Sequence, residues 1–135
     1  MDEIAFEVWM ETPVEIALDR LSESLKREGF GVLTSIDVKA TMKEKLGQDF
    51  RPYYILGACN PPLAHRALSA DSSIGLMLPC NITLEEGRNG GSLVRIANPE
   101  TMLHLGEWQK IPALSEIARE ARARLERVAM ELSTN

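Results

Sequence analysis

The chain has 135 residues and a formal net charge of -5, from 15 Lys and Arg against 20 Asp and Glu, with 44% hydrophobic and 26% charged residues. A chain of this size buries a core without a disulfide or a structural metal, and its length and composition predict a single globular domain over residues 1–135. The acidic balance argues against non-specific binding to nucleic acid or to an anionic membrane, both of which need a basic surface. No apolar run approaches the roughly 18 residues of a membrane span.

The first residues, MDEIAFEVWMETP, are acidic and alternating. A secretory leader would be basic and then continuously apolar, so a cytoplasmic setting is expected, with both cysteines as reduced thiols. Residues 4–10 alternate, with Ile4, Phe6, Val8 and Met10 on one side, and predict a strand with one buried face. Thr12, Pro13 and Glu15 have the spacing of a capping box that opens a helix. Its apolar stripe is Val14, Leu18, Leu21 and Leu25, and Gly29 ends it. Residues 30–38 alternate again as a second strand, with Phe30, Val32, Ile36 and Val38 on one face. A short helix over residues 39–46, with Met42 and Leu46 as its apolar pair, stops at Gly47.

Residues 53–59, YYILGAC, are apolar on both faces and predict an interior strand. Asn60, Pro61 and Pro62 then start a helix, with Asn60 as cap and the prolines in its first turn. Leu63, Ala64, Ala67 and Leu68 are its expected inward side. Residues 74–84 read as a fourth strand interrupted by Pro79, which has no N–H to give the ladder. Asn89-Gly90 marks a hairpin turn, and residues 92–97 return as a fifth strand. Asn98-Pro99-Glu100 opens a short helix. The last helix, over about residues 112–132, repeats Leu114, Ile117, Ala118, Ala121, Leu125, Val128 and Leu132 at steps of three and four. Glu116, Arg119, Glu120, Arg124, Glu126 and Arg127 form its expected solvated face. The fold class is therefore α+β, two layers, with about five strands in an antiparallel or mixed sheet and helices mainly on one side. The other side of such a sheet, Trp9 included, needs cover, and a second copy supplies it, so a homodimer is expected.

The candidate site is the stretch from Gly57 to Asn81, which holds both cysteines and His65. Cys59 ends a strand before a helix N-terminus, where a thiolate is favoured, although Pro61 and Pro62 remove two amide donors. The competing reading makes Cys59 and Cys80 small buried hydrophobes. Asn60 and Asn81 are cap and bulge residues that can also line a polar pocket. Arg51 and Arg66 can bind a carboxylate or phosphate there, or lie solvated on the surface. The soft-ligand candidates Cys59, Cys80, His65 and His104 match no compact zinc spacing, so no metal and no cofactor are expected. No glycine-rich phosphate loop is present, since residues 87–91 form a hairpin.

Three segments carry a resemblance. GFGVLTSIDVKATMKEKLG (residues 29–47), FRPYYILGACNPPLAHRAL (residues 50–68) and IGLMLPCN (residues 74–81) resemble the bacterial and archaeal family called domain of unknown function 302. The likeness runs from about Thr12 to Leu132, and its matching positions are Gly57, Cys59, Asn60, Pro61, Pro62, His65, Pro79, Cys80 and Asn81. It implies a compact α+β domain whose members form homodimers. It implies no established activity, so no catalytic residue is carried over. Three readings follow. The first is a small binding protein that holds a polar or anionic ligand at Cys59, Asn60, His65, Cys80, Asn81 and Arg51. The second is a thiol redox or metal-binding protein using Cys59 and Cys80. The third is an interaction module defined by its dimer surface.

Overall fold

A computed structural model describes residues 3–134. One antiparallel sheet has the order β1-β5-β4-β3-β2, built from β1 (Ala5–Met10), β2 (Gly31–Asp37), β3 (Tyr53–Cys59), β4 (Cys80–Glu86) and β5 (Ser92–Ala97). The helices are α1 (Val14–Arg27), α2 (Val38–Leu46), α3 (Pro61–Ala70), α4 (Pro99–Met102) and the long C-terminal α5 (Pro112–Ser133). This is an α+β fold.

Pairing register sorts the side chains between the two faces. Phe6, Ile96, Ile82 and Leu56 form one row across the strands, and Val8, Val94, Leu84 and Tyr54 the next. Against these rows lie Val14, Ala17, Leu21 and Leu25 of α1 and Leu125, Val128 and Leu132 of α5, one buried cluster. A second cluster lies beyond the sheet end. It joins Leu63 and Ala67 of α3 to Ile74, Leu103 and the first half of α5 through Leu114, Ile117, Ala118 and Ala121. The apolar stripe of α5 thus serves two cores in succession. Each Leu or Ile it buries contributes about 1.5–3 kcal/mol of transfer free energy.

Four expectations are corrected. The Thr12 capping box does not form: α1 is capped by Pro13 with no side-chain bond, and Thr12 Oγ1 is buried without a partner. Ser92 Oγ donates to the Thr12 carbonyl at 2.7 Å, which ties this turn to β5. Residues 74–78 are not strand. Asp71 accepts hydrogen bonds from the Ser73 amide and hydroxyl at 2.9 and 2.6 Å, starting a 3₁₀ segment, Ser72–Met77, that turns Ile74 into the second cluster. Pro79 consequently precedes β4 instead of interrupting it. Several residues expected inside are exposed: Ile4 at 70%, Ile36 at 50%, Leu46 at 65% and Leu68 at 43%. The charged side of α5 is also more than solvated surface. Arg124 donates to the Glu28 carbonyl at 3.0 Å and Arg127 to the Glu28 carboxylate at 2.9 Å, fastening α5 to the end of α1.

The helix-free face of the sheet carries the rows Glu7, Arg95, Thr83, Ile55, Ile36 and Trp9, Leu93, Glu85, Tyr53. Gly57 also lies on it, and a Cβ there would collide with Thr34 Oγ1 and the Pro79 ring. Only glycine lets β2 and Pro79 approach this closely.

Candidate functional site

Antiparallel order brings the end of β3, the start of β4 and the end of β5 to one end of the sheet. Cys59 is the last residue of β3, and Cys80 is the first of β4. Cys80 pairs with Ala58, one residue from Cys59. The chain leaves this end into α3 and α4 and arrives at it through the Ser72–Met77 segment. Trp108 Nε1 donates to Ser73 Oγ at 2.9 Å and pins that segment to the turn before α5.

Between these elements is a cavity of about 290 Å³. Leu63, Ala67, Ile74, Leu103, Leu114 and Ile117 supply apolar wall, Met77 and Met102 add thioethers, and Cys59, Asn60, Cys80 and Asn81 lie on the sheet side. No charged side chain lines it among the described residues. Leu76, 82% exposed, stands at its margin.

The candidate residues divide accordingly. Cys59, Asn60, Cys80 and Asn81 meet at the cavity. Asn60 is the α3 cap: its Oδ1 accepts from the Leu63 amide at 3.2 Å, and its Nδ2 reaches the Glu28 carbonyl at 3.5 Å. Gly29, at φ 85°, leaves room for that amide. Both thiols are free and partly buried. Burial, and secondarily the charge of Cys59, pushes the Cys80 thiol up to about 11. Such a thiol is a weak nucleophile at neutral pH, because the thiolate is the reactive form.

His65 and His104 are exposed and do not line the cavity. Arg51 is elsewhere, on the helix-free face, where its Nε donates to Glu85 at 2.9 Å and its guanidinium lies 4.7 Å from the Phe50 ring. Arg66 is paired with Glu120 at 3.2 Å. The two cations proposed for an anion are therefore engaged away from the cavity. Among the described residues, no group of three or more His, Cys, Asp or Glu is placed to hold a metal.

Sequence reasoning missed the apolar wall and the two methionines. The available signal was the length of the α5 stripe, whose first half extends past what the sheet covers. It also missed Glu85 between Arg51 and Arg95, for which strand alternation alone gives no signal.

A family model described as domain of unknown function DUF302 matches residues 6–132. The chain belongs to the DUF302 family. Among solved structures, the crystal structure of an uncharacterized conserved DUF302 protein from Bacillus stearothermophilus matches with a TM-score of 0.85 and 33% identity, covering 97% of this chain and 99% of that one. No curated protein matches the chain. Every cavity residue named above falls within the DUF302 match. The family description carries no activity, so the reading of this DUF302 site rests on its own chemistry.

Proposed function

We propose that this DUF302 chain is a small-ligand-binding protein, that its site is the cavity at the Cys59-Asn60 and Cys80-Asn81 end of the sheet, and that its ligand is neutral and largely apolar. The observation that carries this reading is the cavity wall, apolar over most of its extent and without a charged side chain among the described residues. A polar or anionic ligand, expected from sequence, would lose its hydration there and gain no counter-charge. A volume of about 290 Å³ lies near the lower end of small-molecule pockets.

A neutral apolar dye such as N-phenylnaphthylamine tests this reading. Saturable fluorescence enhancement at one site is expected with the native chain. It is expected to disappear in Ala118→Phe, which places a ring in the cavity while circular dichroism reports an intact fold. No saturable binding by the native chain, or equal binding by Ala118→Phe, would contradict the reading.

The protein works, in this proposal, as a cytoplasmic homodimer. Its two thiols are free, as a reducing compartment keeps them. No helix among the described residues is long and apolar enough to cross a membrane. For the dimer, the supporting feature is α2, which buries none of its nine residues. It follows the edge strand β2, where Leu33 is 68% exposed at a register shift. A second copy is the partner that a closed two-fold arrangement provides for such an edge.

A further inference from the structure

The walls of the cavity are unequally fastened. On the sheet side Ala58 and Cys80 are ladder partners. α3 shares a buried cluster with α5, and Arg66 is paired with Glu120 across the two helices. The remaining wall comes from the Ser72–Met77 segment, in the β3–β4 connection, and from residues 103–111, in the β5–α5 connection. Backbone hydrogen bonds in both segments are local: Ile74 to Asp71, Leu78 to Gly75, His104 to Thr101 and Lys110 to Glu107. Among the described residues, one hydrogen bond joins the segments, from Trp108 Nε1 to Ser73 Oγ at 2.9 Å. Ser73 Oγ donates in turn to the Asp71 carboxylate at 2.6 Å, so Trp108, Ser73 and Asp71 form one chain that ends on a charge. Ile74 and Leu103 pack in the cluster beneath it, and Leu76 and Leu105 stand exposed, one on each segment.

We propose that the seam between these two segments is the entrance of the cavity and that the Trp108–Ser73–Asp71 chain is its latch, which sets how fast an apolar molecule enters and leaves. Opening on the sheet side breaks ladder bonds, and opening between α3 and α5 splits the second core. Opening the seam breaks one side-chain hydrogen bond and parts a small apolar contact. Local opening is cheapest where bonding is local and buried contacts are few. Association is slowed wherever binding waits for such a step. None of the three latch residues lines the cavity, so the latch acts on both rates and leaves the affinity unchanged.

The latch rests on the apolar-ligand reading for its purpose, but its first test contains no ligand. The Ala58–Cys80 pair lies two residues on from Leu56–Ile82, so the Cys80 thiol faces the helices and the cavity, whereas the Cys59 side chain faces the opposite side of the sheet. The reduced full-length chain is treated with N-ethylmaleimide, and labelling of each thiol is timed by mass spectrometry. Ser73→Ala and Trp108→Phe are each expected to speed Cys80 labelling about fivefold, the weight of one hydrogen bond, with Cys59 labelling unchanged. The double variant is expected to be no faster than either single one, because both remove the same bond. In stopped-flow mixing with N-phenylnaphthylamine, Ser73→Ala is expected to raise association and dissociation rates about fivefold alike. Native labelling rates of Cys80 in both variants would overturn the proposal. So would an equal rise at Cys59, which a general loosening of the fold produces, or additive effects in the double variant. Faster Cys80 labelling in a protein that binds no dye would remove the apolar-ligand reading and leave the entrance standing.

Discussion

Glu85 lies on the helix-free face with one carboxylate oxygen on Arg51 and the other on Arg95, and Arg95 also donates to Glu7 at 2.8 Å. Burial pushes its carboxyl up, but the hydrogen bonds from Arg95 and Arg51, with their charges, outweigh this and hold it below the usual glutamate range. A carboxyl lowered in the folded state contributes stability that is complete above its unfolded value and lost as pH falls through its folded value. Glu85→Gln is therefore expected to cost about 1–2 kcal/mol in urea unfolding at neutral pH. The figure is at the lower end because the Arg51 and Arg95 side chains, 49% and 38% exposed, recover hydration when the pair is broken. The gap between native and variant is expected to close as pH drops below about 4; an equal gap at both pH values would show that the carboxylate charge does not matter. The two thiols give a second contrast. With the Cys80 thiol pushed up to about 11, its thiolate is about one part in ten thousand at neutral pH. Timed alkylation read by mass spectrometry is expected to label Cys59 before Cys80, and first labelling of Cys80 would contradict the burial that raises it.

At the scale of elements, α2 is the exception. It has sound ends: Asp37 Oδ1 accepts from the Ala40 amide at 2.9 Å, and Gly47 closes it at φ 65°. Yet a nine-residue helix with no buried residue has little to hold it, since isolated helices shorter than about 12–15 residues are marginal in water. In the dimer proposed above, a second copy docked on α2 and β2 would supply the missing burial. Sedimentation is expected to give a dimer for the native chain and a monomer for the double variant Ile36→Glu, Leu46→Glu; a native monomer, or a variant that remains dimeric, would remove α2 from the interface. The elements themselves were legible where the signal is local. The α5 stripe, the Asn60 cap, the Asn89-Gly90 turn and the stop at Gly47 all depend on residues a few positions apart. Failures came where a distant partner decides. The spacing of Thr12 and Glu15 suits a capping box, but Pro13 takes the cap position, and Ser92, 80 residues away, ties the Thr12 carbonyl to β5. The apolar run at residues 74–78 suits a strand, but the second cluster, built from α3, Leu103 and the distant α5, gives Ile74 a place in a turn.

At the scale of the whole molecule, one helix joins two cores. The second half of α5 covers the sheet, and its first half, with α3, the Ser72–Met77 segment and α4, encloses the cavity. Cys59-Asn60 was legible in the sequence as a strand end before a capped helix, whereas Cys80-Asn81, expected inside a longer strand, lies at the start of β4. The cavity was not legible, because its walls come from elements scattered along the chain and meet only in the fold. The claim that this cavity is a binding site is tested most directly by methyl NMR of the native chain during titration with N-phenylnaphthylamine. The account predicts shifts confined to methyl groups of Leu63, Ile74, Leu103, Leu114 and Ile117, with Leu21, Leu56, Ile82 and Leu84 of the sheet core unmoved. Unchanged cavity methyls at saturating probe, or shifts centred on the sheet core, would contradict it.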